Sequence, residues 1–105
     1  MMKKALLLEA TASSLEEAKS AIESSVGLSL AAHESAYHGG EYFRGDLYGA
    51  NLILQANFIE DDGEPAEADF PGADLLVYLD GEIGAVDWAA SRLMALSKVL
   101  RSSTY

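Results

Sequence analysis

Cysteine is absent from these 105 residues, which excludes disulfides and thiolate metal sites and fits a cytoplasmic protein. Basic side chains are scarce. Seven Lys and Arg stand against seventeen Asp and Glu, a formal net charge of −10. Between Ser20 and Ser91 the imbalance sharpens to fourteen carboxylates and one cation, Arg44. A field of that sign repels nucleic acid and anionic membranes and steers cationic partners to the surface. Long apolar runs are missing too. Ala5-Leu6-Leu7-Leu8 meets Glu9 after four residues, short of the roughly seven that a signal-peptide core needs. No stretch approaches the ~18 apolar residues of a membrane span.

Half the residues are apolar and only two are proline, a globular composition that can build a core despite the charge. The length fits one domain spanning residues 1–105. Lys3 to Ala10 reads as a central strand, because Leu6, Leu7 and Leu8 leave neither face polar. Ser14 and Glu17 form a capping box that opens a helix. Leu15, Ala18, Ile22 and Val26 make its buried stripe, and Gly27 ends it. Leu28 to Tyr37 tolerates a strand, Gly39-Gly40 a hairpin turn, and Glu41 to Arg44 a second short strand.

Ala50 to Phe58 alternates most clearly. Leu52, Leu54, Ala56 and Phe58 take one face; Asn51, Ile53, Gln55 and Asn57 take the other. Residues 59 to 73 form a long acidic connection, and Asp74 to Asp80 is the last strand. A helix is expected from about Ala85 to Arg101, with Asp87 in its first turn and Lys98 and Arg101 in its last. Val86, Ala90, Leu93, Leu96 and Leu100 would supply its apolar face. The fold expected is α+β: an antiparallel sheet of four to five strands with two helices on one face, in the order β-α-β-β-β-β-α.

The connection bearing Glu60, Asp61, Asp62, Glu64, Glu67 and Asp69 is the first candidate for function. Its acids would bind a divalent cation, dock into a basic cleft, or serve only solubility. Asp61-Asp62-Gly63 lacks the alternating oxygen spacing of a calcium loop, so docking to a protein is the preferred reading. His33 and His38 sit five apart, on opposite faces of any continuous strand, and no third nitrogen ligand exists for zinc. No serine lies in a Gly-x-Ser-x-Gly elbow and no phosphate loop occurs. Neither a cofactor nor a catalytic mechanism is therefore expected. Tyr37 and Tyr42 near predicted strands, with Gln55 and Asn57 on one face, would anchor a protein interface or complete the core with their polar ends outward. Arg44 is expected to pair internally with a carboxylate.

One pattern runs through Ser35-Ala36-Tyr37-His38-Gly39-Gly40-Glu41-Tyr42-Phe43-Arg44, Asn51 to Phe58, Glu60-Asp61-Asp62-Gly63-Glu64, Asp69-Phe70-Pro71 and Leu75-Leu76-Val77-Tyr78. It resembles the small acidic bacterial proteins akin to immunity proteins of polymorphic toxin systems. The resemblance covers residues 35 to 80 and implies a cytoplasmic protein that blocks a cationic toxin, its acidic loop mimicking phosphates. Two further readings stand beside it. One is a small enzyme or ligand-binding protein using the open sheet face, with His33, Glu34 or His38 near a pocket. The other is a homodimer built across that face.

Overall fold

A computed structural model describes residues 2–35, 38, 40–59 and 63–105. The chain runs β1 (Lys3–Ala10), α1 (Leu15–Val26), β2 (Ala31–Ser35), β3 (Gly40–Asp46), β4 (Ala50–Ala56), β5 (Leu75–Glu82), α2 (Ile83–Leu93) and β6 (Ser97–Thr104). All six strands join one sheet in the order β2-β3-β4-β5-β1-β6, and each neighbouring pair is antiparallel. The α+β class holds, but the strand count and element order need correction. The sheet has six strands, not four to five, because the expected last helix stops at Leu93 and the chain returns as β6 along β1. Lys98, Leu100 and Arg101 therefore lie on an edge strand and not on a helix end.

Both helices cover one face. Leu6 and Leu8 of β1, Phe43 of β3, Leu52 and Leu54 of β4 and Val77 and Leu79 of β5 pack there against Ala18, Ile22 and Val26 of α1 and Val86, Ala89 and Leu93 of α2. The period-2 alternation of the strands meets the 3.6-residue stripe of the helices in one apolar layer. β1 lies between β5 and β6, which explains its unbroken leucines: Leu7 turns the opposite way, into a second cluster with Leu76 and Ala73.

The helix ends follow from local chemistry. The Ser14 hydroxyl accepts from the Glu17 amide at 3.1 Å, and Gly27 closes α1 with a left-handed φ of 75°. The Glu17 carboxylate reaches back to the amide and hydroxyl of Ser13 instead of the Ser14 amide. That hydroxyl, then the amide, holds the Glu17 carboxyl below the usual carboxylate range. α2 starts at Ile83, two residues before the expected point, so Asp87 falls beyond its first turn and binds Lys4 at 2.7 Å. β3 and β4 are joined by a two-residue turn in which Tyr48 (φ 54°) and Gly49 (φ 107°) both lie in positive-φ space. That geometry matches the twist of a tight hairpin.

Candidate functional site on the open sheet face

The face away from the helices carries alternate residues of every strand. Register places Gln55 of β4 and Leu76 of β5 in one row, and Tyr42 of β3 lies one residue beyond the last β3–β4 pair, on the same face as Arg44. Arg44, Ile53, Tyr78 and Leu7 form the next, and Asp46, Asn51, Asp80 and Ala5 the third. The acidic connection folds back over this same face. Phe70 and Ala66 pack with Ala73 against Leu7, Leu76, Tyr78 and Leu100. Strand order thus brings Gln55, Asn57 and the acidic connection onto one surface, a placement no local pattern specifies.

Asn57 ties the connection down. Its Nδ2 donates to the carbonyls of Phe70 and Ala73 at 2.9 and 2.8 Å, and its Oδ1 accepts from the Glu67 amide at 2.8 Å. Glu67 does the same from the other end. Tyr78 Oη donates to one of its carboxylate oxygens at 2.7 Å, and Arg101 of β6 pairs with the other at 2.9 Å. Glu67 is thereby spent inside the protein, only 17% exposed, while Glu64 and Asp69 are exposed. Tyr37, Glu60, Asp61 and Asp62 lie outside the described residues. The Gly63 amide donates to the Ile59 carbonyl at 2.9 Å.

Burial raises the Tyr78 hydroxyl well above its ordinary range, with the Glu67 hydrogen bond and charge adding to it. A tyrosine raised in the folded state stabilises fully below about pH 10, where both states keep the proton. Above that the unfolded chain ionises first and stability falls. The unfolding midpoint is therefore expected to drop between about pH 9 and 11. Tyr78→Phe should flatten that slope in urea titrations; an unchanged slope would assign it to other groups.

Tyr42 lies between two histidines. Its ring centroid is 5.5 Å from that of His33 and 4.2 Å from that of His38. Both histidines thus reach one face, because the hairpin turns the chain back between them. Nδ1 of His38 lies 2.7 Å from Oε1 of Gln55; a carboxamide oxygen only accepts, so Nδ1 carries the proton. Gln55 itself is 2% exposed, a buried polar residue that strand alternation placed on the open face without revealing its burial. Arg44, expected to pair internally, is exposed and makes no ion pair among the described residues.

A cleft of about 390 Å³ opens between the folded-back connection and the sheet. Ile53, Ile59 and Ala66 supply apolar wall, and Tyr78, Gln55, His38 and Asp80 supply polar edges. It was not legible from the sequence, because five separate segments build it. Among the described residues no three His, Asp or Glu side chains are placed to hold a metal ion, and no helix is long and apolar enough to cross a membrane.

No protein-family model matches the chain, and no curated protein matches it. Function must therefore be argued from the surface itself, and the charge map is its strongest feature. Among the described carboxylates only Glu23, Glu67 and Asp87 have a cation within ion-pair distance. Lys3 and Lys4 of β1, Arg92 of α2 and Lys98 and Arg101 of β6 gather the positive charge toward the β6 edge of the sheet. The β2-β3 edge keeps exposed Glu34, Glu41 and Asp46. Glu34 and Glu41 stand directly opposite each other in the ladder, an arrangement that costs stability.

Proposed function

We propose that this protein is a non-catalytic acidic binding module that blocks a cationic protein, most concretely an immunity-type inhibitor of a basic bacterial toxin in the cytoplasm. The observation that carries the reading is the set of exposed carboxylates left without cations on rigid elements. The Glu34–Glu41 pair, on the opposite face of the β2-β3 edge from Tyr42, gives folding nothing and adds to the long-range field that steers a basic partner. The contact residues assigned are Glu60, Asp61, Asp62, Glu64 and Asp69, together with Tyr42 and Gln55. Asn57 and Glu67 hold the described part of the connection in place, and Tyr37 is counted with the contact residues.

Affinity capture from host lysate at low and then high salt, with identification by mass spectrometry, tests the reading. A single basic protein released by salt is the expected result, and its toxicity is the next assay. For that protein, Asp61→Lys with Asp62→Lys should slow association by about tenfold at low salt, with the unfolding midpoint unchanged. Glu41→Lys should also slow it while converting the repulsion from Glu34 into attraction, so stability holds or rises slightly. Association rates that ignore all three substitutions would remove the acidic surface from the function.

A further inference from the structure

We propose that the cleft lined by Ile53, Ala66, Tyr78 and Asp80 receives the side chain of a lysine or arginine from the cationic partner. The assignment rests on the binding reading above and adds where the anchor residue goes. The cleft's walls and rim divide as such a side chain does. Ile53, Ala66 and the Tyr78 ring offer apolar surface to a methylene stem, which buries readily while its charged end stays solvated. Asp80, exposed at the rim, offers a carboxylate to the cationic head, and Asp46 extends the same charge along its row.

No lysine or arginine of this chain lines the cleft. Arg101 is held on Glu67, and Arg44 borders a separate depression with Asp46 and Asn51. Gln55 then separates a peptide-borne cation from a free amine. Its Oε1 is committed to His38, but among the described residues its Nε2 reaches only the Ala56 carbonyl, at 3.4 Å, the weak limit of a hydrogen bond. A buried amide donor so poorly used favours a ligand carrying an acceptor. The backbone carbonyl beside a lysine or arginine supplies one; an alkylamine does not.

Titration of the whole protein with small probes, followed by amide NMR signals, decides the matter without the partner. The probes are Nα-acetyl-lysine N-methylamide, its arginine and norleucine counterparts, and butylamine. The lysine and arginine probes should shift the Ile53, Ala66 and Asp80 amides saturably at millimolar concentration. Norleucine and butylamine should bind about tenfold more weakly, the first lacking charge and the second lacking the carbonyl. Asp80→Asn should weaken the lysine probe several-fold while the α1 and α2 signals, unmoved, report an intact fold. Equal binding of norleucine, tighter binding of butylamine, or no shift at the cleft each overturns the assignment. Absence of any salt-sensitive basic partner would instead overturn the parent reading, and the titration would not register it.

Discussion

Gly81→Ala is expected to remove about 4 kcal/mol of stability, the sum of backbone strain and overpacking. Gly81 sits inside β5, opposite Lys4 of β1 and Ala50 of β4, with φ at 146°. A Cβ there would lie 2.3 Å from the Gly49 carbonyl oxygen and 2.8 Å from the Ala50 Cα. Both obstacles are backbone, and both belong to the tight turn between β3 and β4, so neither can swing aside as a side-chain tip would. Domains of this kind have total stabilities of roughly 5–15 kcal/mol, so much of the margin would go. Gly72→Ala is the control, because nothing lies within 4 Å of its Cβ position; it should stay within about 0.5 kcal/mol of the parent. Urea unfolding midpoints for the two variants check the contrast. A Gly81→Ala protein within about 1 kcal/mol of the parent would mean that the turn yields easily.

The same close approach sets the position of Asp80, the residue before Gly81. Glycine lets β5 and the Gly49 turn meet without a side chain between them, and Asp80 then projects beside Asn51 on the open face. A fold requirement at one residue thus orients a candidate binding group at the next.

What the sequence disclosed depended on how local the cause was. β1, α1 and β4 were readable because leucine runs, a Ser14 cap with Gly27, and strict alternation act within about ten residues. The end of α2 was misread for a physical reason. Leu93, Leu96 and Leu100 continue a helical spacing through the break, and neither glycine nor proline marks it. Two of the three serve the helix-side core, whereas Leu100 packs on the opposite face of the sheet. Val99 and the run Ser102-Ser103-Thr104, weak helix formers, were the available signal for β6.

The candidate surface divides in the same manner. Its acidity is compositional and needed no structure. Its shape is not, since the cleft joins β1, β4, β5, His38 and the folded-back connection, which only the tertiary fold brings together. The same holds for Gln55. Alternation assigns its face, but its burial, with His38 on its carboxamide oxygen, is a matter of tertiary packing. Glu67 shares the segment of the contact acids, yet Tyr78 and Arg101 draw it inward from strands farther along the chain.

Asn57 is where the fold and the binding surface meet, and Asn57→Ala is expected to cost about 3 kcal/mol, from three lost hydrogen bonds at roughly 1 kcal/mol each. The loss should be local in the first instance. Without the side chain, the Phe70 and Ala73 carbonyls and the Glu67 amide lose the one group that holds all three. Phe70 and Ala66 would lift from Leu7 and Leu76, while the helix-side core has no contact with the change. Hydrogen exchange should therefore quicken by about a hundredfold at the Glu67, Phe70 and Ala73 amides and hardly at all in α1. Asn57→Asp offers no rescue, because a carboxylate accepts from the Glu67 amide but cannot donate to the two carbonyls. Uniform acceleration through both helices would show that the connection is part of the global folding unit and not a layer added to it. If the effect is local, partner affinity should fall even though no contacting charge has changed, because binding must then supply the order that Asn57 provides in advance.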